Sequence, residues 1–225
     1  MKVKILLFFL VLICTKSFAQ KERLQTEWFL YWQPDTKIQY IDYQKQPDST
    51  DFEFSRKYNI KLLTNVQIHA VLDYPKKARK VKTLGEKWYL APVFCKKCSP
   101  IYENDSVELL QAQVFFDIAE HCTRLTRMKI AELEKQDVAI GMVAASFPRL
   151  VEDMYALLGE MFASYGKQVI IDKEPGKYEE WRTSVDDMLK QTIGFETKQV
   201  ECDRLILEKP LSDEYLISYE KYGVN

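Results

Sequence analysis

"DSVELLQAQVFFDIAEHCTRLTRMKIAELEK" (residues 105–135) decides how the rest of the chain is read. Asp105 is a short acidic side chain ahead of a periodic apolar run, and Glu108 stands three residues on, the layout of a capped helix start with Glu108 reaching back. Neither Gly nor Pro interrupts the run, so the spacing predicts one long helix ending near Lys135. Placed 100° apart, Val107, Leu110, Val114, Ile118, Leu125 and Lys129 fall along one line. Gln111, Phe115 and Cys122 flank that line, and Leu109 and Phe116 lie on the far side. Apolar surface on more than one stripe predicts a helix packed on two sides.

On the N-terminal side the pattern changes from helical to alternating. From Asn59 to Asp73 the even positions are apolar, with Thr64 the exception, and the odd ones include Lys61, Asn65, Gln67, His69 and Asp73. That is the period of a half-buried strand, single or bent near Thr64-Asn65, and it puts His69 on the polar face, in solvent. Lys37 to Tyr43 and Glu86 to Phe94 are further strand candidates, Pro92 marking the end of the latter as an edge or bulge. The basic run Lys76 to Lys80 reads as a solvated hairpin tip.

On the C-terminal side, Ser146 and Pro148 predict a helix start running to about Tyr165. Trp181, Val185, Met188 and Leu189 predict another helix over 178–192. Strand-like material returns in "KQVECDRLILEKP" (198–210) and "EYLISY" (214–219). With no internal repeat or low-complexity linker, the expected class is α+β: an N-terminal antiparallel sheet, about three helices and a C-terminal strand region.

The first residues read as a secretory signal. A basic start, the apolar run Ile5 to Ile13, and Ser17-Phe18-Ala19 predict residues 1–19 as signal peptide, cut before Gln20. A lipoprotein cut before Cys14 is disfavoured by the large Ile13 ahead of it. The expectation is export to the periplasm or outside, with residues 20–225 as one domain and no transmembrane segment. Aromatics at 13% with only seven glycines point to a packed globule, and a formal charge of −1 gives no support to a nucleic-acid partner. Four cysteines remain after Cys14: Cys95, Cys98, Cys122 and Cys202. An even count in an oxidising compartment predicts two disulfides, with three pairings open. Zinc binding by Cys95-x-x-Cys98 lacks a second such pair, and a thiol redox centre there would open a helix, whereas Pro100 follows.

Three blocks together resemble a family of bacterial proteins described as predicted secreted zinc-dependent proteases. "IQYIDYQKQPD" (38–48) is similar to its opening motif, "LLQAQVFFDIAEHCTRLTR" (109–127) to its signature helix, and "IIDKEPGKYEEW" (170–181) to a shortened third block. The resemblance covers about residues 38–189 and implies a zincin-like fold. Carried over by position, Gln111 and Phe115 stand where the two helix histidines would be, Ala112 where the glutamate would be, and Pro175 where a further histidine is placed. Gln113, Phe116, Asp117, Ile118 and Glu120 match the flanks.

Those missing letters carry the chemistry. Histidines at i and i+4 share one helix face and converge on zinc, and the glutamate reaches the metal-bound water. Zinc lowers that water's pKa from about 15.7 to about 7, and the glutamate's proton transfer contributes about 10²–10⁴-fold in rate. An amide, a methyl and a benzyl ring supply neither function. Fallback metal ligands are Asp117, Glu120 and His121, and His69 is the other histidine of the mature chain. No Gly-rich phosphate loop or G-x-S-x-G elbow is present. The resemblance together with the missing letters therefore implies a non-catalytic zinc-protease relative without cofactor, kept as a binding or structural module of unknown ligand, with a peptide or protein as the candidate partner. A metal-dependent hydrolase with a non-standard ligand set, and a thiol redox protein using Cys95 and Cys98, are the alternatives.

Overall fold

The computed structural model describes residues 23–135 and 141–223. The predicted signal peptide, its cut before Gln20, and Cys14 lie outside the described residues. The chain is mixed α and β. Strands β1 (Phe29–Tyr31), β2 (Val66–Pro75), β3 (Lys87–Cys95) and β4 (Tyr215–Tyr222) form one antiparallel sheet in the order β1-β3-β2-β4. Six α-helices lie among the described residues: α1 (Ser49–Tyr58), the short α2 (Val81–Leu84), α3 (Ser106–Lys135), α4 (Met142–Tyr165), α5 (Lys177–Gln191) and α6 (Gln199–Leu207). None of the described helices is long and apolar enough to cross a membrane.

The long helix forms as its sequence directs. Asp105 Oδ1 accepts from the amides of Val107 and Glu108, capping α3. Glu108 does not close a capping box. Its Oε2 reaches across to accept from Lys61 and Leu62 N–H, pinning the segment that leads into β2. Along that line Val114 and Ile118 are buried and Leu125 is part-buried, whereas Val107, Leu110 and Lys129 stand in solvent.

Both faces of the sheet are covered, which the alternation in β2 did not reveal. Ile68, Ala70 and Leu72 pack with Val114, Ile118 and Phe147 from α3 and α4. On the other face Val71, Ala91 and Val93 meet Cys202 and Leu205 of α6. His69 and Asp73 share that second face and are buried, so the expectation of a solvated His69 is overturned. The covering element is the stretch 198–210, expected as strand but folded as α6. Its inward residues Glu201, Cys202, Arg204 and Leu205 recur at helical spacing, and Glu201 Oε2 accepts from Lys198 N–H at its start.

Other expectations shift in register. Lys37 to Tyr43 forms a 3₁₀ turn over Tyr40–Asp42 instead of a strand. Residues 59–65 stay outside the ladder: Asn59 takes the left-handed φ of 50° that ends α1. Helix α4 starts upstream of Ser146 and takes Pro148 inside it, the Ala144 amide donating to Glu86 Oε2. Pro92 sits in an interior strand. Trp32 N–H donates to Pro92 O, and the Trp32 carbonyl, facing the amide hydrogen proline lacks, accepts from Gln33 Nε2 instead. The basic run 76–80 lies in the β2–β3 connection as expected, with Lys80 paired to Glu214.

Candidate functional site

Helix α3 presents two faces of opposite character. One is a buried polar stripe: Gln113, Asp117, Glu120, Arg124 and Arg127. Gln113 Oε1 accepts from Ile38 N–H, and Asp117 accepts from Trp32 Nε1, Gln113 Nε2 and Arg182. Glu120, fully buried, accepts from Arg124 Nε and from both the amide and hydroxyl of Thr197. Burial pushes its carboxyl up, against the downward pull of Arg127 and Arg124. Arg127 donates to Leu90 O, Phe195 O, Thr197 Oγ1 and Glu201 Oε1, joining β3, the chain ahead of α6, and α6 itself. Gln113, Asp117 and Glu120 thus hold the helix in place through bonds to Ile38, Trp32, Arg182 and Thr197.

The other face carries Glu108, Gln111, Ala112 and Phe115, and it borders two clefts. The first encloses about 160 Å³ and is lined mainly by apolar side chains, with Ala112 and Phe115 on one wall and Ile60, Leu62 and Ile170 among the others. Its far wall is a π-helical turn, Gly166–Ile171, that continues α4. The second cleft, about 230 Å³, has Gln111 on its wall with Lys173, Glu174 and Glu179. The two share Glu108 and Ile170.

The Phe115 ring packs edge-on against Phe162 and Tyr165, with centroids 5.0 and 4.7 Å away. Tyr165 continues the stack to Trp181 and its hydroxyl donates to Gln111 O. Gln111 lies one turn earlier, and its side chain faces the polar cleft. Pro175 is exposed. With Gly176 at φ 78° and the Lys177 amide bonded to Glu174 O, it forms a type II turn, for which Pro then Gly are the fitting residues.

The fallback ligands do not converge. Asp117 and Glu120 are engaged by the donors named above. His121 is buried, its Nδ1 without a partner, and burial followed by the Arg124 charge lowers its pKa. No three His, Cys, Asp or Glu side chains among the described residues gather in a metal-binding arrangement. Of the four cysteines, Cys95 and Cys98 are bonded to each other, with Cα atoms 5.2 Å apart, while Cys122 and Cys202 are free and buried. One bridge thus replaces the two expected. Burial pushes the Cys122 thiol up to about 12 and Cys202 higher still.

Sequence reading missed the cleft's other walls, residues 60–64 and 166–171. The apolar Val169-Ile170-Ile171 beyond the end of α4 was the available signal. No protein-family model, curated protein or solved structure matches the chain.

Proposed function

We propose that this chain is an exported, non-catalytic relative of zinc-dependent proteases, zincin-like in fold. On this reading it binds an extended peptide through one apolar side chain seated beneath α3. The observation that carries it is the placement of Ala112 and Phe115, at the positions of the would-be glutamate and second histidine, on the wall of an apolar cleft of about 160 Å³. An apolar cavity of about 150 Å³ holds a group the size of a benzene ring, so this one suits a leucine- or phenylalanine-sized side chain. The adjoining polar cleft, with Gln111, Lys173 and Glu179, offers donors and acceptors to the flanking amides of such a peptide.

The test compares unstructured peptides that differ at one position, Leu, Phe or Lys, by fluorescence anisotropy. Binding is expected for Leu or Phe and not for Lys. Ala112→Phe fills the cleft and removes the binding at least about tenfold, a loss of about 1.4 kcal/mol. Equal binding of the Lys peptide, or undiminished binding by a folded Ala112→Phe variant, contradicts the reading.

A further inference from the structure

The Cys95–Cys98 bridge has features a structural staple does not need. It spans a sequence separation of three, so it closes a very short loop and removes little freedom from the unfolded chain. The turn it crosses is already held by other bonds. Cys95 N–H donates to Asn65 O, Lys96 N–H to Trp28 O, Gln44 N–H to Lys96 O, and Ser99 Oγ–H to Cys95 O. None of these bonds is made through a sulfur. The two sulfurs also differ in access: Cys95 is buried at the end of β3, while Cys98 is part-exposed in the 3₁₀ turn Lys96–Cys98.

The surroundings of the turn are partly open. Lys96 and Lys97 stand between the cysteines in sequence, the Lys96 ammonium near Gln25 Oε1 and that of Lys97 paired with Glu27. Trp28 and Ile41 are 53% and 74% exposed. The Trp28 carbonyl is bonded to the Lys96 amide, and Ile41 lines an open groove together with Lys96, Arg23 and Asp42. Large exposed apolar side chains near this turn provide a contact surface for a protein partner.

We propose that Cys95–Cys98 is a redox-active disulfide that accepts two electrons from the cysteine pair of a reduced partner protein. The partner's thiolate attacks Cys98 Sγ, the Cys95–Cys98 bond breaks, and Cys95 leaves and takes up a proton. The partner's second thiolate then attacks its own sulfur in the mixed disulfide and releases Cys98, which is protonated in turn. The net exchange is one disulfide here and two thiols there for two thiols here and one disulfide there. This site does not involve the cleft beneath α3 and stands or falls separately from the peptide-binding reading.

The experiment equilibrates the intact oxidised protein in glutathione buffers of graded reduced-to-oxidised ratio, quenches with acid, alkylates the thiols and maps them by mass spectrometry. The bridge is expected to open and close reversibly within the glutathione range while near-ultraviolet circular dichroism stays native, with Cys122 and Cys202 unlabelled in the folded protein. Early quenching is expected to trap glutathione on Cys98 at least about tenfold more than on Cys95, since access selects the sulfur attacked. A bridge that stays closed in the most reducing mixture, opens only as the fold is lost, or captures glutathione on Cys95 overturns the proposal.

Discussion

Arg127 shows how much a single side chain carries here. Its guanidinium satisfies two carbonyls, a hydroxyl and a carboxylate from three parts of the chain. Removing one member of a buried ionic network leaves the others unpaired, at a cost of about 3–5 kcal/mol. Arg127→Met is expected to lower stability by that amount in urea unfolding, and Arg127→Lys to recover little, because one ammonium cannot span the four acceptors. Loss under about 1 kcal/mol would contradict the network's role. His69 makes a second test at this scale. It is 1% exposed, boxed by Phe29, Tyr31 and Tyr222, its Nε2 has no partner, and burial lowers its pKa to about 3. The folded state therefore keeps the ring neutral while the unfolded chain protonates below about pH 6.5. Its effect on stability is absent above that pH and grows as pH falls toward 3, at about 1.4 kcal/mol per pH unit. His121 acts in the same sense, and Glu120 and Glu201, raised by burial, in the opposite one. The comparison is therefore His69→Phe against wild type in urea titrations from pH 7 to 5. The variant is expected to lose less stability on acidification, and parallel curves would refute a neutral buried ring.

At the scale of elements, the sequence was legible where local signals agreed. Helices α3 and α5 carry clear apolar periods, with Asp105 capping one and the Pro175-Gly176 turn preceding the other, and both appear near their predicted bounds. The ladder of β2 begins at Val66, although alternation runs from Asn59, because the Glu108 carboxylate takes the Lys61 and Leu62 amides. Helix α6 was unreadable as a helix for a different reason. It is nine residues long, and its buried face includes Glu201 and Arg204, whose partners Arg127 and Asp73 are remote in sequence. No local pattern announces that a charged pair will be buried. The clefts suffered likewise, since their walls come from α1, α3, the segment before β2 and the π turn. The helical assignment of α6 has its own test. Leu205 is buried and Leu207 half exposed, although a strand would place i and i+2 on one face. Leu205→Ala is expected to cost about 2–5 kcal/mol and Leu207→Ala under about 0.5 kcal/mol. Equal losses would favour the strand.

Across the whole molecule, a sheet buried on both faces is locked to α3 by a polar stripe, while the opposite face of that helix is left beside the clefts. On the proposed reading that division separates two sets of residues: Gln113, Asp117 and Glu120 hold α3 in place through buried hydrogen bonds, whereas Gln111, Ala112 and Phe115 line the clefts. The proposed loss of hydrolysis concerns only the second set. The direct measurement is the zinc content of the folded protein after equilibrium dialysis against micromolar zinc, taken together with hydrolysis of an unfolded protein substrate. The account predicts far less than one zinc per chain and no hydrolysis above background. One zinc per chain, lost with activity on substituting residues along the Gln111–Phe115 face, would contradict it.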